Sequence, residues 1–309
     1  LPAEKPPRFL LSLDGGGSHL LIQLSVLACL EQDTGVSTYE RFDMIAGSSS
    51  GGLIACLILG QKTSAEALVH KIVKERLLQA MMIEHGMSRF LSRLQLRPKF
   101  QSAPKSKTLQ AALQDCRLSS LEKLLFIPCF NLSRDSLEVF TNSVQPDFLL
   151  HEIADACTAA PSFYAPVRLQ DGDWRIDGGV GMNNPGLSAY LYAQKNWPDT
   201  GIKMLSIGSG WRRFAMDGEK ACRYGGLQWS ASGIASLILR EKMISNANNT
   251  MQVLGDQMLY INDYLQDYNM PDHMDSAKDP AIQRKALDVG VSWFHRHRPQ
   301  IKYWLNNAH

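Results

Sequence analysis

An α/β fold with a mainly parallel sheet is predicted by three observations. Short apolar runs at residues 9–13 and 42–46 each end in a glycine-rich turn. Each turn opens a stretch whose apolar residues recur at helical spacing. This strand–turn–helix unit occurs twice before Gly60, the pattern of βα units that build a parallel sheet.

The elements follow in order. Phe9, Leu10, Leu11 and Leu13 suit a buried strand, broken by Asp14-Gly15-Gly16-Gly17. Leu20, Leu21, Leu24, Leu27 and Ala28 then mark a helix face. The second strand, 42–46, is turned by Gly47-Ser48-Ser49-Ser50-Gly51 into a helix expected over 52–59. Further strands are expected at 124–127, 137–140, 174–176 and 203–207. Further helices are expected over 148–158, 186–196 and 230–253, and the tail beyond reads as polar and aromatic. No internal repeat or low-complexity segment is present.

With 309 residues, 45% of them hydrophobic, the chain can bury one large core. One domain is expected over 1–309, with a core at 9–210 and a helical extension at 211–309. A charged fraction of 20% and a formal net charge of +2 speak against disorder and against a nucleic-acid partner. The six cysteines form no CxxC pair, so neither a metal site nor a redox motif is expected, and no cofactor. Cys29 and Cys56 read as buried thiols in helices, and a reducing, cytoplasmic compartment is the expectation. The apolar run at 53–59 is too short to span a bilayer, and the polar, proline-rich start lacks the order of a secretory signal.

The segment 70–107 carries nine basic and two acidic residues, interleaved with Leu77, Leu78, Met81, Met82, Ile83, Met87, Phe90, Leu91 and Leu94. One reading is a solvated helix pair with a buried Met/Leu face. The other is a lipid-facing cap, with Lys71, Lys74, Arg89, Arg93 and Lys105 among its cations, giving peripheral attachment to an anionic membrane.

Three short motifs carry chemistry. Gly47-x-Ser49-x-Gly51 matches G-x-S-x-G between a strand and a helix, the context that exposes a serine hydroxyl on a sharp, strained turn. Ser48 and Ser50 read as turn and helix-start residues. Gly15, Gly16 and Gly17 present backbone N–H groups at the positive end of a helix dipole, which suits a phosphate cradle or an oxyanion hole. Neither the dinucleotide fingerprint nor the P-loop is complete here, and with a nucleophile elbow downstream the oxyanion hole is preferred. Asp14 reads as structural, bonding loop amides. Asp177-Gly178-Gly179 follows a strand and places a carboxylate in a loop. His273, His295 and His297 stand in the order a Ser…Asp…His triad requires, but none has a recognisable loop motif. Trp174, Trp211 and Trp229 read as packing residues.

Together, Asp14-Gly15-Gly16-Gly17, Gly47-x-Ser49-x-Gly51 and Asp177-Gly178-Gly179 resemble the patatin-like phospholipase family. The resemblance takes in residues 158–166, Asn183-Asn184-Pro185 and 205–210, and more weakly 224–229 and 254–260, which look like bacterial cytosolic members. It implies a three-layer α/β/α fold with a mainly parallel sheet. It also implies a Ser–Asp dyad, with Ser49 attacking a glycerolipid ester, Asp177 taking its proton and the amides of Gly15, Gly16 and Gly17 holding the oxyanion. The implied activity is that of a phospholipase A or lysophospholipase acting on membrane phospholipid. A soluble carboxylesterase or thioesterase, an effector whose latent activity a small-molecule activator releases, and a non-catalytic lipid-binding module are the alternatives. One departure stands out: the family's Gly-Gly-Gly-x-Arg/Lys-Gly is here Gly15-Gly16-Gly17-Ser18-His19-Leu20. His19 is expected to supply a proton-dependent charge, and Leu20 to alter the pocket mouth.

Overall fold

The computed structural model describes residues 6–85, 97–143, 146–213, 216–271 and 279–306. Five strands form its parallel part: β1 (Arg8–Leu13), β2 (Met44–Gly47), β3 (Leu124–Asn131), β7 (Ile202–Ile207) and β8 (Met258–Ile261). Antiparallel β4 (Ser136–Thr141), β5 (Val167–Arg168) and β6 (Trp174–Asp177) complete one side. The strand order is β5-β6-β3-β2-β1-β7-β8, with β4 also paired to β3. β1 is therefore interior, in register with Leu10 opposite Met44 on β2 and Met204 on β7.

Alternation along these strands sends side chains to two cores, because successive residues of a strand point to opposite faces. Leu11, Leu13, Ile45 and Ile207 pack under one helical layer. That layer contains α1 (Leu20–Thr34), α3 (Ser50–Gln61), α4 (Ala65–Val73), α7 (Leu150–Cys157) and α12 (Pro280–Asn306). Leu10, Met44, Ala46 and Met204 pack on the other face with Ala189 and Ala193 of α8 (Gly186–Asn196) and Leu254 of α11 (Ile234–Leu254). The result is the expected α/β/α arrangement. Burial on both faces explains why β2 and β7 are buried throughout; β2 reads as an apolar run, whereas β7 also buries Lys203 and Ser206.

Shorter helices fill the connections: α2 (Thr38–Arg41), α5 (Leu77–Met81), α6 (Ser102–Leu113), α9 (Gly218–Ala221) and α10 (Gly226–Ala231). No single described helix is long and apolar enough to cross a membrane.

Several expectations need correction. The tail, expected to be helical but polar, includes the 27-residue helix α12, whose Ala286, Val289, Trp293, Phe294, Ile301 and Trp304 are buried. Met81 is buried, as the helix-pair reading of 70–107 requires, but Lys105 is wholly buried in α6 and cannot face lipid. Lys71 Nζ reaches Gln61 Oε1. Met87, Arg89, Phe90, Leu91, Arg93 and Leu94 lie outside the described residues, as do His273 and His309. Cys56 is buried, whereas Cys29 is only half-buried. Trp174 and Trp229 are exposed rather than packed.

Candidate active site

The elbow is built by close backbone approach. Ser49 sits between β2 and α3 with φ 52° and ψ −122°, a conformation that L-residues avoid and that marks stored strain. A β-carbon on Gly47 would lie 2.2 Å from the Gly51 carbonyl oxygen, and one on Gly51 would lie 2.5 Å from that of Leu13. Glycine at both positions is what lets the turn close. The Ser48 amide donates to Leu13 O at 3.1 Å, tying the elbow to β1.

Asp177 ends β6, opposite Cys129 of β3. A β-carbon on Gly178 would stand 2.2 Å from Pro128 O, so the chain can leave β6 there only as glycine. Asp177 is buried and its two oxygens are divided. Oδ1 accepts from the Gly179 amide at 2.8 Å, and Oδ2 accepts from Ser49 Oγ at 2.5 Å. Burial pushes the carboxyl up to about 6, against the opposing effects of the Ser49 and Gly179 hydrogen bonds and the Lys105 charge. Among the described residues no histidine hydrogen-bonds to Ser49 or Asp177, and His295 and His297 belong to α12.

The glycine loop lies over the serine: a β-carbon on Gly15 would sit 3.0 Å from Ser49 Cβ. Its amides are not equally available. Gly15 N–H donates to Asn183 O and Gly16 N–H to Ser50 Oγ, each at 3.0 Å. Two of the three expected oxyanion donors are thus committed to protein acceptors. Among the described residues the amides of Gly17 and Ser50 have none. Ser209 Oγ donates to Gly15 O at 2.7 Å and fixes the loop from the end of β7.

Asp14 is structural by a different route from the one expected. It is fully buried, and its side chain accepts from Asn184 Nδ2 at 2.7 Å and Tyr260 OH at 2.9 Å rather than from loop amides. Desolvation pushes its carboxyl up to about 8. The Asp14 backbone oxygen accepts from Gln23 Nε2 on α1. His19 and Leu20 follow the glycine loop, and Leu20 differs from expectation. Each is 2% exposed, so neither places its side chain at a solvent-facing mouth, and Leu20 joins the main core. Asn183, Asn184, Ser209 and Tyr260 were not assigned to the site from sequence. Their stretches resembled the family but carried no motif that assigns a role.

A strained serine between a strand and a helix of a parallel α/β sheet is the geometry of a nucleophile elbow, and here its hydroxyl meets a buried carboxylate directly. The model of the patatin-like phospholipase family matches residues 11–190, and the chain belongs to that family. A cGAMP-activated phospholipase of Pseudomonas aeruginosa is 27% identical over 268 residues, covering 84% of this chain and 79% of that protein. One from Escherichia coli is 30% identical over 207 residues, covering 59% of this chain and 54% of that protein. Patatin-like protein 1 of Arabidopsis thaliana is 29% identical over 273 residues, covering 73% and 66%. The chain thus spans little more than half of the Escherichia coli relative. Among solved structures, human GIVD cytosolic phospholipase A2 aligns over 98% of this chain and 59% of its own, at 12% identity and a TM-score of 0.45.

Proposed function

We propose that this protein is a lipid acyl hydrolase, a phospholipase A or lysophospholipase, working through a Ser49–Asp177 dyad. The observation that carries the reading is the 2.5 Å hydrogen bond from Ser49 Oγ to a buried Asp177 carboxylate. In this reading Ser49 Oγ bonds to the ester carbonyl carbon while its proton passes to Asp177 Oδ2. The carbonyl electron pair moves onto oxygen, held by the free amides of Gly17 and Ser50. Collapse expels the lysolipid alkoxide, which takes the proton from Asp177. Water then attacks the acyl-serine and gives its proton to Asp177; collapse breaks the bond to Ser49 Oγ, which takes that proton back as the fatty acid is released. A carboxyl raised to about 6 remains ionised at neutral pH yet is a stronger base than an ordinary aspartate. The substrate class rests on family membership.

The test is fatty-acid release from mixed phospholipid vesicles by wild type, Ser49→Ala and Asp177→Ala, each with and without cGAMP. Release by wild type alone, with both variants folded, supports the proposal. Turnover of soluble esters with no vesicle hydrolysis overturns the substrate class in favour of a soluble esterase.

A second reading concerns control. The similarity to the Pseudomonas aeruginosa protein extends over 268 residues, beyond the 11–190 family match, and that relative is named as cGAMP-activated. We propose that activity here is latent until a cyclic dinucleotide binds, and that the protein is cytoplasmic and peripheral at membranes when active. Equal vesicle hydrolysis with and without cGAMP overturns the latent reading.

A further inference from the structure

The buried side chain least expected near Asp177 is Lys105. It is 0% exposed, which is rare for lysine unless the ammonium is fully partnered. Its Nζ lies 2.9 Å from Asp155 Oδ1, donates to Asp155 O at 2.9 Å and to Thr158 Oγ1 at 3.3 Å, and sits 4.1 Å from the Tyr164 ring centroid. These contacts gather α6, the C-terminal turn of α7 and the segment beyond it around one charge. That segment contains Ala159, whose carbonyl accepts the Asp177 amide at 3.1 Å.

We propose that Lys105 is a positioning residue for Asp177: it holds the α7 end against the Asp177 backbone and its charge keeps the carboxylate ionised. This rests on Asp177 serving as the base. Three features of the surroundings single Lys105 out. The other ionisable groups facing Asp177 are the thiols of Cys129 on β3 and Cys157 on α7, both pushed well up by burial and therefore neutral. Arg175, on the same strand as Asp177, is engaged by Glu138 and Asp171. Asp14, across the glycine loop, is bonded to Tyr260 and Asn184. Lys105 is the cation whose field favours the Asp177 anion, and Asp155 holds it there. A buried lysine whose purpose is packing alone is matched by methionine in length and shape, which makes the two roles separable.

Lys105→Met leaves Asp155 as an unpaired buried charge, so Lys105→Met/Asp155→Asn is made beside it, with Lys105→Arg as the conservative variant. The first readout is the pH profile of kcat/KM on a soluble ester. The acid limb is expected to move up by a few tenths of a pH unit in the double variant, roughly a twofold loss below the limb, and to stay near wild type with arginine. The second readout needs no turnover: titration of the Asp177 carboxyl by carbon NMR in Ser49→Ala, with and without the double substitution. The same upward displacement is expected there. A folded double variant whose Asp177 titrates as before overturns the proposal. An upward displacement in a protein that hydrolyses no ester upholds the coupling and overturns the hydrolase reading instead.

Discussion

Ser49 and Asp177 meet across 128 positions of chain, with the serine hydroxyl 2.5 Å from one carboxylate oxygen and the Gly179 amide on the other. The serine is held by a strained elbow and the aspartate by the last residue of a strand, so neither group needs a loop to close before they touch.

Asp177→Asn keeps the shape of the pair and removes the base. It is expected to fold as wild type and to lose on the order of 10²–10⁴ in kcat. In wild type, kcat/KM should rise with pH through about 6, where the buried carboxyl ionises, and then level. A profile flat from pH 5 to 8, measured on a soluble ester, contradicts Asp177 as the base.

Asp14 makes stability depend on pH in the direction opposite to an ion-paired aspartate. Its folded value of about 8 lies above the unfolded 3.8, so the native state binds the extra proton. Stability is therefore fully present below about pH 4 and declines as pH rises through 8. Asp177 adds a smaller loss of the same sign between about 4 and 6. Asp14→Asn, neutral at every pH and still able to pair with Asn184 and Tyr260, is expected to remove the larger part. At pH 8 it should gain a few kcal/mol, to order of magnitude, relative to its own difference from wild type at pH 5. Thermal melts at the two pH values check this.

Gly47→Ala tests the elbow. Its new methyl would sit 2.2 Å from Gly51 O and 2.6 Å from Gly52 N, both backbone atoms with no rotamer to yield. A loss of more than about a hundredfold in esterase activity is expected, with destabilisation of about 2 kcal/mol. Full activity in a folded Gly47→Ala protein would show that the turn can close with a side chain present.

Gly290→Ala sets two effects against each other. Alanine favours the helix by about 1 kcal/mol, yet its β-carbon would meet Ile22 O and Ser25 Cβ at 2.5 Å across the α1–α12 contact. Overpacking costs about 1–3 kcal/mol, so a small net destabilisation is expected in urea unfolding. We propose that 1–309 unfolds as one unit, the core with its C-terminal extension. A single transition, shifted in the variant whether followed by far-ultraviolet circular dichroism or by loss of esterase activity, is the corresponding expectation.

The sequence carried the parts of this structure that local chemistry decides. Apolar runs marked β1, β2, β3 and β7, and the elbow and the aspartate loop were legible because glycine was needed at Gly47, Gly51 and Gly178. What it did not reveal depends on partners distant in sequence. Lys105 looks like any surface cation until Asp155, fifty positions on, is folded against it. The amides of Gly15 and Gly16 looked free until Asn183 and Ser50 were placed. α12 carried a helical pattern in Ala286, Val289, Trp293 and Phe294, hidden by the arginines and histidines of its outer face. β8 has only four residues, two of them partly exposed, too short to separate from its surroundings by pattern.

The interior place of β1 bears on when, during synthesis, the site can be assembled. β1 must wait for β7, at Ile202–Ile207, before its second edge is paired. The carboxylate that faces Ser49 arrives at position 177, and the hydroxyl that closes the Asp14 network arrives at 260. Such distant pairings form late and slowly. A chain released before position 177 therefore holds the Ser49 elbow without the carboxylate that faces it, and one released before position 260 lacks the Tyr260 anchor of Asp14.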